Sequence, residues 1–143
     1  MPSLNVTQKS AIVYFNAPKG VDLCGQEGTV VALTANPEIP EFVGTPLSAI
    51  PTQEQLLGVV LQGQPNKGTC VAALVGMYAG LIKVALSDTP GTINSGTPVT
   101  ITANGTWKAA ASGETVYARV IHAKWEKGLV EIGFVPSYQV AAA

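Results

Sequence analysis

Gly68–Asp88, GTCVAALVGMYAGLIKVALSD, is the least polar stretch of the chain, and its reading decides the fold. A membrane-spanning helix needs about 20 consecutive, mostly apolar residues. This run is broken by Lys83 and punctuated by Gly76 and Gly80. Gly76 and Gly80 match the GxxxG helix-packing pattern, which carries weight only inside an apolar 20-mer. A later stretch decides the matter: Lys67-Gly68 opens the run as Lys127-Gly128 opens KGLVEIGFV, where Glu131 sits in an alternation suited to a strand. Thr69 to Val75 therefore reads as a strand, Gly76 as a turn before Met77, and Leu81 to Leu86 as a further strand. The low polarity is that of a core or a subunit seam, and no membrane partner is expected.

The likeness extends into an internal duplication. Gly28-Thr29, Val31 and Thr34-Ala35-Asn36 recur as Gly96-Thr97, Val99 and Thr102-Ala103-Asn104, an offset of 68 residues. Val60-Leu61 recurs as Val120-Ile121 at an offset of 60, so the second copy has a shorter connection. In the first copy a Pro-rich segment, 36–51, lies between strands. In the second, Asn104-Gly105 stands there, a dipeptide favoured in type I′ hairpins because both positions tolerate positive φ. Pro37, Pro40, Pro46 and Pro51 exclude a long helix, since each removes a backbone donor and clashes with the preceding turn. Thr52 with Gln55 has the spacing of a capping box, which allows at most one short helix near 52–57.

The expected fold is all-β: a single compact β-barrel or β-sandwich-like domain over 19–143, internally duplicated, preceded by an N-terminal arm, 1–18. The arm carries AIVYF (Ala11, Ile12, Val13, Tyr14, Phe15), a β-prone run. It reads first as the opening strand of the domain and second as a strand lent to a neighbour by β-augmentation.

Composition narrows the function. Apolar residues make up 47% of the 143 and charged residues only 12%, about half of the roughly 25% usual in soluble domains. A surface of Thr, Ser, Gly, Ala, Asn and Gln has fewer strongly hydrated groups to strip on association, which suits a permanent protein assembly. With a net charge of −1 and eight scattered Lys and Arg, no electrostatic footprint for nucleic acid is present. The first twenty residues lack the basic and apolar regions of a signal peptide, so synthesis in a cytosol is expected, with Cys24 and Cys70 as free thiols.

No constellation points to catalysis, a cofactor or a metal. His122 is the one histidine and has no carboxylate or thiol at a recognisable spacing. Strand alternation places it with Val120 and Lys124, opposite Tyr117, Arg119, Ile121 and Trp125. The nine acids are dispersed, and no GxSxG, HExxH, P-loop, GxGxxG or CxxC occurs. Among the aromatics, Trp107 stands two residues past Gly105, where an exposed ring would suit a subunit interface.

Taken together, GTVVALTAN, LLGVVLQGQPNKGTCVAALVGMYAGLIKV, SGTPVTITANGTWKAAASGETVYARVIHA and KGLVEIGFV resemble the small β-rich decoration, or cement, proteins of tailed-bacteriophage capsids. The resemblance covers most of 20–135 and implies a non-enzymatic virion protein. Such a protein is made in the host cytoplasm and assembles, often as a homotrimer, on the capsid exterior, where it bridges major capsid protein subunits. The candidate contacts are then the arm at Ala11–Phe15, the Pro-rich connection through Pro37, Ile39, Pro40 and Phe42, and Trp107. The alternative is a carbohydrate- or receptor-binding β-domain of a tail fibre or adhesin, for which Trp107 with Asn104 is the hint.

Overall fold

The computed structural model describes residues 11–88, 92–123 and 129–142. The described residues form ten strands and no helix: β1 (Ile12–Asn16), β2 (Val30–Ala35), β3 (Phe42–Pro46), β4 (Leu57–Gln62), β5 (Thr69–Leu74), β6 (Leu81–Ala85), β7 (Pro98–Ile101), β8 (Trp107–Ala109), β9 (Thr115–His122) and β10 (Leu129–Gln139). The opening stretch thus supplies β5, a turn with Gly76 at a φ of 81°, and β6. No helix is long and apolar enough to cross a membrane among the described residues.

The first five strands close into a barrel in the order β1-β3-β2-β4-β5, sealed by the β1–β5 pair. The second five form a sheet in the order β6-β10-β9-β7-β8. Its outer strands, β6 and β8, are connected by one parallel bridge, Leu86 to Trp107, where β1 and β3 have a parallel ladder at Phe15–Phe42 and Asn16–Val43. The two units therefore share one topology.

Their equivalence reaches single hydrogen bonds. Gly28 N–H donates to Val60 O at 2.8 Å and Val60 N–H to Thr29 O at 2.9 Å; Gly96 N–H donates to Val120 O at 2.7 Å and Val120 N–H to Thr97 O at 3.0 Å. Gly28 and Gly96 have φ of 89° and 90°, a left-handed conformation that costs glycine nothing. Both copies carry a register shift at the same place: between the pairs Val60–Ala72 and Gln62–Val71, and between Val120–Ile132 and His122–Glu131. The offsets of 68 and 60 read from the sequence are those of the backbone geometry.

Each unit has its own core. Phe15, Leu23, Val31, Leu33, Val60, Cys70 and Ala72 fill the barrel. Val84, Val99, Ile101, Trp107, Val120, Val130 and Ile132 fill the second unit, joined by Val30, Leu57, Val59 and Ala73 from the outside of the barrel. Strand alternation makes this possible, because β2 and β4 send successive side chains to opposite faces. Backbone bonds lock the seam: Val30 N–H to Gly105 O at 2.8 Å and Ala85 N–H to Gly28 O at 3.0 Å.

Several expectations change. The Pro-rich connection is not only a connection, because it contains β3. Pro46 is its final residue, three past Val43, where the register with β1 ends. Thr52 and Gln55 do make a capping-box bond, Thr52 N–H to Gln55 Oε1 at 2.9 Å, but around one turn and no helix, since Leu56 already pairs with Leu33. The β7–β8 hairpin is not type I′: Gly105 has a φ of 80° while Asn104 is not at positive φ. Gly105 N–H to Thr102 O at 3.0 Å and Thr102 N–H to Thr106 O at 2.8 Å define a type I turn closed by a glycine bulge. Residue Ala11 is not strand but sits at a φ of 55°. The turn expected at Glu126–Gly128, with Lys124 and Trp125, lies outside the described residues, as do residues 1–10 of the arm.

Candidate functional site

The arm strand is built into the domain. β1 is flanked by β3 on one side and β5 on the other, so the reading of this run as an opening strand holds for Ile12–Phe15 and not for Ala11. Its alternation divides the candidate contacts. Phe15 is fully buried inside the barrel and Val13 packs against the same core, while Tyr14 points out with 63% of its surface exposed. Ile12 is half-buried, as is Ala11, whose carbonyl accepts from Leu74 N–H at 2.9 Å.

The Pro-rich connection comes to the same side of the barrel. Phe15 is in register with Phe42 at the start of β3, and Asn36 Nδ2 donates to Asn16 Oδ1 at 3.3 Å. Pro37, Ile39 and Pro40 are exposed, while Phe42 is half-buried against the barrel core. Two segments chosen separately in the sequence thus meet at Asn16 and Asn36, and Tyr14 on one and Pro37, Ile39 and Pro40 on the other are exposed apolar residues.

Trp107 is the clear correction. Its place beside a hairpin tip predicts an exposed ring, and it has no exposed surface at all. The hairpin folds over the seam, Gly105 meets Val30, and the indole enters the core, 6.2 Å centroid to centroid from Phe134. Its Nε1–H is buried without a hydrogen-bond partner. A fully buried indole offers no sugar-stacking face and no subunit contact.

His122 does have a carboxylate partner. Nδ1 lies 2.6 Å from Glu131 Oε1, across β9 and β10. The β-bulge makes this pair: it breaks the two-residue period at Ile121, so Val120 turns inward and His122 outward, not onto one face as alternation alone implies. Nine residues separate the pair in sequence, a spacing set by the hairpin and legible only once the bulge is known. Among the described residues no group of three or more His, Cys, Asp or Glu side chains is arranged to hold a metal ion.

A groove of about 440 Å³ opens at the seam between the units. Leu57 and Tyr117 form part of its lining, with Val75, Met77, Val135 and Pro136 beside them and Gln53, Glu54 and Ser137 among the polar lining. Burial raises the Tyr117 hydroxyl above its ordinary pKa. The β10 wall is irregular: between Phe134, opposite Ala118, and Tyr138, opposite Val116, Val135–Ser137 have no register partners on β9.

No family model matches the chain, and no curated protein matches it. The functional reading therefore rests on these surfaces and on the residues that carry the resemblance.

Proposed function

We propose that the protein is a structural virion component, a capsid decoration protein that binds the outside of a phage shell and bridges major capsid protein subunits. The observation that carries the reading is the set of exposed apolar side chains on two segments that meet at Asn16 and Asn36, β1 and the 36–41 connection. It comprises Tyr14, at 63% exposure, and Ile39, at 42%, together with Pro37 and Pro40, in a chain with only 12% charged residues. Exposed apolar side chains among weakly hydrated neighbours are inexpensive to desolvate on a protein surface. Proline adds to this because it has little conformational freedom left to lose on binding.

The mechanism is multivalent bridging. Each subunit of a homo-oligomer, a trimer in this reading, makes a modest contact, and linkage turns later contacts into intramolecular events at high effective concentration. The closed barrel suits this use, since closure leaves β1–β5 no free edge to pair indiscriminately. The sugar-binding alternative loses its main support with the burial of Trp107.

The test is to mix the purified protein with undecorated phage heads. Saturable, stoichiometric binding with raised thermal resistance of the heads is expected, and heads that neither bind it nor gain stability would sink the reading.

A further inference from the structure

We propose that Asn104 is a modification site, where the chain deamidates spontaneously, and that the seam between the two units sets the rate. The chemistry starts from the sequence. Asn104 is the one asparagine followed by glycine, which has no side chain to shield its nitrogen. The Gly105 nitrogen, giving up its proton to solvent base, attacks Asn104 Cγ; the bond from Cγ to the side-chain nitrogen breaks, and that nitrogen takes up a proton and leaves as ammonia. Water then opens the succinimide at either carbonyl. The product is an aspartyl residue or an isoaspartyl residue, in which the main chain runs through the former side chain.

The fold exposes one partner of this reaction and restrains the other. Asn104 is exposed, whereas Gly105 is buried. Gly105 N–H donates to Thr102 O at 3.0 Å, and Gly105 O accepts from Val30 N–H at 2.8 Å. Asn104 N–H donates to Thr102 Oγ1 at 3.3 Å, which lies 2.8 Å from Thr106 Oγ1. In a type I turn the third residue keeps the nitrogen that follows it swung away from its own Cβ. For that nitrogen to meet Cγ, the peptide plane between 104 and 105 must turn about the Asn104 Cα–C bond. The turn withdraws Gly105 N–H from Thr102 O and draws Gly105 O off Val30, so ring closure waits for the hairpin tip to leave the seam. Local opening then limits the rate.

The other described asparagines are poorer candidates. Asn66 is followed by Lys67, and its Oδ1 is held by Gly20 N–H at 2.9 Å. Asn36 is followed by Pro37, whose nitrogen has no proton to give. Asn16 is followed by Ala17, and its amide is bonded to Lys67 O and Asn36 Nδ2. Asn94 is followed by Ser95, whose Cβ flanks the nitrogen. At Asn104 the reaction also reaches the seam: an isoaspartyl linkage adds a methylene to the main chain just before Gly105. The added atom pushes Gly105 O away from Val30 N–H and displaces the turn that precedes the fully buried Trp107.

The test incubates the full chain and the free peptide TITANGTWK, residues 100–108, side by side at mildly alkaline pH and follows every asparagine by peptide mass mapping. Conversion at Asn104 is expected to lead that of every other asparagine in the protein, and to run at least about tenfold slower than in the peptide. Thr102→Val, which keeps the branched shape and removes the hydroxyl acceptor, should give a rate between the two, as should native protein in urea below its unfolding midpoint. The collected isoaspartyl protein should unfold at lower urea than Asn104→Asp, which has the new charge without the added methylene. Another asparagine converting first, or no conversion at Asn104 even in urea, would overturn the site. A native rate equal to that of the peptide would overturn control by the seam, and so would an isoaspartyl form as stable as Asn104→Asp.

Discussion

Phe15 lies where a side chain at position 44 would have to go. Both are fully enclosed, and a Cβ built on Gly44 overlaps the Phe15 ring. By register the equivalent pair in the second unit is Val84 and Trp107, so the two copies divide the same space oppositely: large on β1 and nothing on β3, then small on β6 and large on β8. Gly44→Ala should therefore destabilise by about 1–3 kcal/mol through overpacking. Trp107→Ala should cost about 3–5 kcal/mol through the cavity it leaves. Urea unfolding would show each as a lower midpoint with an unchanged slope.

The seam between the units depends on a glycine. A Cβ on Gly105 would stand 2.6 Å from Val30 O, and the residue has a φ of 80°. Gly113 has the same φ with nothing within 4 Å. Gly113→Ala should then cost only the left-handed penalty, about 1–2 kcal/mol. Gly105→Ala should cost at least about 1 kcal/mol more, because it also pushes Val30 away from its bond to Gly105 O. Parallel thermal melts of the two variants would check the difference.

Thiol chemistry separates the cysteines. Both are free, Cys24 exposed and Cys70 buried. Hydrogen bonding to Asp22, then desolvation and nearby carboxylate charge, holds the Cys24 thiol above its ordinary pKa. Burial raises Cys70. Titration with a chromogenic disulfide should find one reactive thiol in the native protein and two after denaturation. The native reaction should be slow near neutrality and accelerate with rising pH, because the thiolate is the nucleophile.

A small acid-sensitive contribution comes from Glu114. It sits 2.9 Å from Lys108 Nζ and accepts from Ala111 N–H at 2.7 Å, which together lower its pKa below the usual carboxylate value. A carboxylate lowered in the folded state adds stability that is present above its unfolded pKa and lost as pH falls through the folded value. The pair is partly exposed, so solvent screening limits it to less than about 1 kcal/mol. Glu114→Gln should lower stability slightly at pH 7 and make no difference in strong acid, which chemical denaturation at the two pH values would check.

The sequence made most strands legible because Gly-Thr turns and Val-rich alternation repeat, and the two offsets turned an apparent membrane segment into β5 and β6. β3 was hidden because Pro40 and Pro46 frame Phe42–Pro46 with the residues that usually mark loops. The fate of Trp107 was hidden because a hairpin tip looks solvent-facing until another unit is packed against it. The His122–Glu131 pair depends on a bulge, which adds one residue and leaves no compositional mark. The exposed apolar side chains of the two candidate segments were half legible: the sequence marks both segments as apolar, but only the structure shows that Tyr14 and Ile39 are exposed while Phe15 faces in.

The most direct measurement is binding to undecorated heads by the native protein and by a Tyr14→Asp, Ile39→Asp variant, read by co-sedimentation across a concentration series. Saturable, stoichiometric binding of the native protein is expected, with at least about tenfold weaker binding by a variant that remains folded, equivalent to about 1.4 kcal/mol of binding free energy. Native protein that stays in the supernatant, or a variant that binds as tightly as the native chain, would contradict the decoration role.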